Sequence, residues 1–162
     1  MRRTIRNIGI IATASFLLAA CSTPKAIRRM DREIKGTWIL QTLVTEGTSV
    51  KPKDKIFNEA DFSCFIGSEW KFNKDDGIYT IIDQQKICPG VTRWINWSFQ
   101  QNANAPASFT LNWQADKKKG TGSGPKYNLT VLELNNSSMK LKQGILIDGQ
   151  PAVLIFNFVK HQ

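Results

Sequence analysis

From Gly36 onward the pattern is β, with stretches in which apolar side chains recur at every second position. Trp70 and Phe72 alternate with Glu69, Lys71 and Asn73. That period of two puts successive side chains on opposite faces of a strand. Thr37–Val44 is a run of apolar and β-branched residues. Lys74-Asp75-Asp76-Gly77 reads as a tight turn with Gly77 at its positive-φ position, and Ile78–Asp83 returns as the second arm of a hairpin. Arg93–Gln100 places Ile95, Trp97 and Phe99 on one face and Trp94, Asn96 and Ser98 on the other. Ala107–Ala115 repeats the device, with Phe109, Leu111 and Trp113 opposed by Ser108, Thr110, Asn112 and Gln114. Asp116–Pro125 is a basic, glycine-rich loop that contains Lys117-Lys118-Lys119 and reads as solvated. Lys126–Leu134 and Met139–Gln143 are strands joined at Asn135–Ser138. Asp148-Gly149 opens a last turn and Ala152–Lys160 closes the chain.

These segments make eight strands joined mostly by short turns. The one helix expected is short, within Ala26–Ile34. Strands do not alternate with helix-length segments, which argues against a parallel sheet. The expected fold is all-β: an eight-stranded antiparallel up-and-down barrel, since closing the meander removes its exposed edges. A β-sandwich is the rival architecture. A barrel of eight strands is either filled by its own side chains or holds one small ligand.

The first twenty residues read differently. Met1–Asn7 carries Arg2, Arg3 and Arg6 without an acid, and Ile8–Ala20 is apolar or small throughout. A basic head before a short apolar run has the shape of a secretory signal, and thirteen residues fall short of the ~20 that span a bilayer. The run ends in Leu18-Ala19-Ala20-Cys21, followed by Ser22, and resembles the lipobox of bacterial lipoproteins. That resemblance implies acylation of Cys21 and cleavage before it. Several acyl chains together make a stable anchor. The expected organisation is a signal peptide over 1–20, a lipid-anchored tether and short helix over 21–35, and a barrel over 36–162.

Cleavage changes the charge balance. The full chain has 22 Lys+Arg and 13 Asp+Glu, net +9. Met1–Ala20 holds three arginines and no acid, so the mature chain carries net +6. Arg28, Arg29, Arg32 and Lys35 follow close behind Cys21, where anionic headgroups would attract them; a solvated linker reads equally well. The three cysteines divide in the same way. Lipidation takes Cys21, and export to an oxidising compartment makes a Cys64–Cys88 disulfide the natural pairing. A reactive thiol or a metal site are the rivals.

Gly36-Thr37-Trp38, opening the first strand after a short helix, resembles the Gly-x-Trp signature of lipocalins. In that family a basic side chain near the end of the last strand stacks on the Trp; Lys160 is the basic residue of the final strand here. The order of features is similar to that of the lipocalin-like lipoproteins of Bacteroidetes-type bacteria. It runs Cys21, Gly36-Thr37-Trp38, Cys64, Trp70-Lys71-Phe72, Asp76-Gly77-Ile78-Tyr79 and Cys88. The resemblance implies a binding barrel, lipid-anchored in the cell envelope, with no particular substrate; Ser22 after Cys21 suggests outer-membrane sorting, as it does in some bacteria.

Chemistry is sparse. The single histidine, His161, stands next to the last residue and reads as frayed tail. No phosphate-binding loop, dinucleotide fingerprint or zinc spacing occurs. Asp75-Asp76 reads as turn chemistry, so neither an enzyme, a metal nor a cofactor is expected. A lipid anchor separates the basic surplus from cytoplasmic nucleic acid. The remaining lead is binding of a small apolar or amphipathic ligand, for which Trp97, Phe99, Phe109, Leu111 and Trp113 are candidate lining residues. The alternative is a protein-interaction or structural module of the envelope whose barrel is filled by those same side chains.

Overall fold

A computed structural model describes residues 25–47, 55–82, 88–101, 105–114 and 124–161. Helix α1 (Lys25–Glu33) leads into eight strands: β1 (Gly36–Glu46), β2 (Glu69–Phe72), β3 (Asp76–Ile81), β4 (Val91–Gln100), β5 (Ser108–Gln114), β6 (Lys126–Leu134), β7 (Ser138–Ile147) and β8 (Gln150–His161). A 3-10 turn, Phe62–Phe65, lies in the long connection between β1 and β2. Each strand pairs antiparallel with the next, and β1 also pairs with β8, so the sheet closes into an up-and-down barrel. The β4–β5 register joins Ile95 to Trp113, Trp97 to Leu111 and Phe99 to Phe109. All six side chains are buried on the inner face, as a period of two requires.

Register irregularities between Leu40 and Thr42, and between Val131 and Glu133, mark β1 and β6. Such bulges add local twist and help a sheet to curve shut. Strands stand at all eight expected places; Ile82 and Ala107 fall just outside β3 and β5, Asp83 and Ala115 lie outside the described residues, and three further corrections arise. Gly77 lies inside β3 opposite Phe72 rather than in a positive-φ turn. Its glycine is needed for closeness: an added Cβ would collide with the Lys71 carbonyl oxygen and lie 3.4 Å from Ile95 Cγ1. Strand β7 runs on beyond Gln143 to Ile147, carried by its pairing with β8. His161 is paired with Thr37 rather than frayed.

The N-terminus of β1, the C-terminus of β8 and the turns after β2, β4 and β6 share one end of the barrel, and α1 closes it. Ile27 and Ile34 of this segment are buried, and Met30 packs against the core. Trp38 is fully buried there, its indole Nε1 donating to the Ile34 carbonyl at 2.6 Å. Lys160 Nζ donates to the Glu33 carbonyl at 2.8 Å and stands 5.0 Å from the centre of the Trp38 ring. The expected cation–π contact is thus in place, its ammonium also satisfying an end carbonyl of α1. Gly36, at φ +117°, leaves room for the lysine stem, since a Cβ there would lie 3.0 Å from Lys160 Cε.

Candidate functional site

The other end holds the β1–β2 connection, the approaches to β4 and β6, and the Asp148-Gly149 turn between β7 and β8. Here the chain folds back over the barrel mouth. Phe57 and Asn58 both take positive φ, +53° and +56°, and the Glu59 amide donates to the Ile56 carbonyl at 3.0 Å. That is a type I′ turn, braced by a bridge between Ile56 and Ala60. The turn drives the Phe57 ring into the barrel, where it is 5% exposed. Five rings surround it: Tyr127 at 4.7 Å between centroids, Phe65 at 5.6 Å, Phe156 at 5.7 Å, Trp113 at 6.0 Å and Trp70 at 6.3 Å. These are edge-to-face, tilted and stacked contacts of the kind aromatic pairs prefer.

Polar contacts hold the turn down. The Tyr127 hydroxyl donates to the Phe57 carbonyl at 2.8 Å. Arg93 grips Glu59 with two hydrogen bonds, Nε to Oε2 at 2.8 Å and Nη2 to Oε1 at 2.7 Å, and the Tyr79 hydroxyl adds a third at 3.2 Å. The Arg93 guanidinium holds the Glu59 carboxyl below the usual carboxylate range, against the opposing effect of burial. Burial, and then the Glu59 charge, push the Tyr79 phenol far above its ordinary value; the same two causes raise Tyr127. At neutral pH the turn is therefore pinned by an ion pair and two neutral phenols. Cys64 and Cys88 are joined, Cα atoms 5.5 Å apart, so a disulfide ties this connection to the approach to β4.

Beside the turn lies a pocket of about 320 Å³. Phe57, Ile145 and Leu154 give it apolar walls, Tyr127 and Gln143 bring polar atoms, and Lys55 and Asp148 stand in its lining. Gln143 Oε1 is buried without a hydrogen-bond partner among the described residues, and so is Thr45 Oγ1. Thr45 and Gln143 flank Leu154 in register, so both polar groups stand in one row near the mouth.

The five candidate lining residues all face inward and are buried, but none lines this pocket. Trp97, Phe99 and Phe109 pack on one another at 5.0–6.2 Å toward the closed end. Trp113 lies higher, against Phe57 and Tyr127. Gly36 and Trp38 seal the closed end. Cys21, the 1–20 segment and Lys117–Lys119 lie outside the described residues. Phe57, Glu59, Tyr127, Gln143 and Leu154 were not singled out from sequence. Asn58 was the available cue, as Asn tolerates positive φ, but nothing local marks its neighbour Phe57 as an inserted ring. Among the described residues, no group of three or more His, Cys, Asp or Glu could hold a metal ion.

The whole is a closed eight-stranded up-and-down barrel, capped at one end by a helix over the buried Trp38 and crossed at the other by the Phe57 turn beside its pocket. Among solved structures the chain is similar to a lipocalin-like protein from Bacteroides uniformis ATCC 8492. That match has 19% identity and a TM-score of 0.46, over 80% of this chain and 99% of that one. It is also similar to an uncharacterized protein from Bacteroides eggerthii DSM 20697, at 14% identity and a TM-score of 0.40, over 78% of this chain and 98% of that one. No protein-family model matches the chain, and no curated protein matches it.

Proposed function

We propose that this protein is a lipid-anchored envelope protein whose barrel mouth binds a small apolar or amphipathic molecule, without catalysing a reaction. The pocket of about 320 Å³ carries the binding half of the reading, with its apolar walls and few polar atoms. Small-molecule sites have this make-up. Support for the anchor is the basic head, the apolar run and Leu18-Ala19-Ala20-Cys21. Cys21 stands four residues before α1, a reach of about 14 Å at most. Since α1 covers the closed end, an anchor at Cys21 leaves the mouth directed away from the bilayer. Ligand would then be exchanged with the aqueous phase or with a partner.

Native mass spectrometry after gentle extraction, together with quenching of tryptophan fluorescence across a lipid panel, tests the binding reading. A co-purifying small molecule or saturable quenching is expected, because Trp113 packs against both Phe57 and Tyr127 of the pocket wall. No bound species and no quenching would overturn it. The alternative is an interaction module of the envelope. It draws support from the filled interior and from outward apolar side chains, Leu146 at 68% and Val44 at 46% exposure. Crosslinking in the envelope that captures one saturable protein neighbour, with an empty mouth, would favour it.

A further inference from the structure

Phe57 stands where a type I′ turn favours Asn or Gly. An aromatic residue at φ +53° is held in a sparsely populated conformation. The turn itself would form more easily with Asn or Gly there, so the outlier points to function at the side chain. That side chain is the inner wall of the mouth pocket and the plug of the cage behind it. The turn has its own small set of fasteners: the Tyr127 hydroxyl on the Phe57 carbonyl, the Tyr79 hydroxyl on Glu59 and the Arg93–Glu59 pair, whose arginine is 47% exposed. The disulfide holds the segment beyond the turn, at Cys64, and leaves residues 55–60 to move without it. The cage also keeps an unspent donor. Trp113 is 7% exposed, and its indole Nε1 is buried with no hydrogen-bond partner among the described residues. Buried donors are nearly always paired, so an orphan in a cage wall calls for an acceptor from outside.

We propose that Phe57 is a displaceable stopper, and that the cage it fills receives a small planar aromatic molecule bearing a hydrogen-bond acceptor. The ligand's ring takes the place of the Phe57 ring among Tyr127, Phe156, Trp113, Trp70 and Phe65. Its acceptor meets Trp113 Nε1, and the rest of the molecule occupies the present pocket. This deepens the mouth-binding reading and rests on it. The stopper lowers apparent affinity by the fraction of molecules in which the turn is open.

The probe is 2-naphthol, titrated by calorimetry into the full-length wild type, Phe57→Ala and Tyr127→Phe. Amide hydrogen exchange over residues 55–60 is followed in the wild type. The wild type should bind, and binding should speed exchange in 55–60 severalfold as the turn is expelled. Phe57→Ala should bind about tenfold tighter, and Tyr127→Phe, which removes one fastener without changing ring volume, a few fold tighter. Should Phe57→Ala fail to fold, Tyr127→Phe and the wild-type exchange decide. Wild-type binding with slowed or unchanged exchange, and no gain in either variant, would make Phe57 a fixed wall; the stopper would be overturned and the mouth reading kept. No binding by any of the three proteins would overturn both.

Discussion

Glu59 is the point where a charge meets the aromatic interior. Its side chain is 9% exposed and takes two hydrogen bonds from Arg93 and one from Tyr79. A carboxyl whose pKa is lowered on folding binds its proton less readily in the folded chain. Its stabilisation is therefore complete above the ordinary carboxylate value of 4.5 and is lost as the pH falls through the depressed folded value. Arg93 keeps much of its side chain in water, so the effect is modest. Melting temperature should fall as the solution is acidified below about pH 4.5, and Glu59→Gln should reduce that slope; equal slopes would show that the pair does not anchor the turn. Gly77 shows how far single residues were legible. A turn glycine and a close-approach glycine look alike in sequence, since both need the Cβ to be absent, and only the Lys71 carbonyl oxygen standing where a Cβ would go distinguishes them. Trp38 was legible because its Gly-x-Trp setting is local. Phe57 was not, because its role is set by rings drawn from four strands and a 3-10 turn.

At the level of elements, the strands followed from alternation, while their ends followed from pairing. Gln143 puts a polar side chain on the inner, apolar face of β7 and Gly144 follows it, yet Gly144 pairs with Val153 and Ile147 with Gln150, so the ladder with β8 carries the strand through. The β1–β2 connection has no period to read, and it is the element that shapes the mouth. Its covalent tie to the approach to β4 is the Cys64–Cys88 bridge, separated by 24 residues. Closing a loop of that length stabilises the fold by about 3 kcal/mol through the entropy of the unfolded chain. Reduction, or Cys64→Ala with Cys88→Ala, should lower the melting temperature by about 10 °C. The native cysteines should resist thiol labelling until reduced. An unchanged melting temperature after complete reduction would mean that contacts within the mouth hold the two segments unaided.

Across the whole molecule, the two ends of the barrel divide the work. One is sealed by α1, Trp38 and Lys160 beside the start of the described chain, and the other carries the pocket and the inserted turn. With Cys21 as the proposed anchor, Cys21→Ala should release the protein from the membrane fraction while leaving 2-naphthol affinity within about twofold, since the pocket lies at the far end. Membrane fractionation unchanged by the substitution would exclude lipidation as the anchor. Strand count, antiparallel order and closure were all readable from alternation and turn residues, because period, spacing and edge protection are local or nearly local properties. Whether the interior is cavity or core was settled elsewhere. Trp97, Phe99 and Phe109 would look the same in sequence lining a cavity or filling one. The difference lies in a turn that crosses the mouth and inserts Phe57 among rings drawn from four strands and a 3-10 turn. No pattern along the chain records such packing, because it depends on where a closed sheet brings distant side chains together.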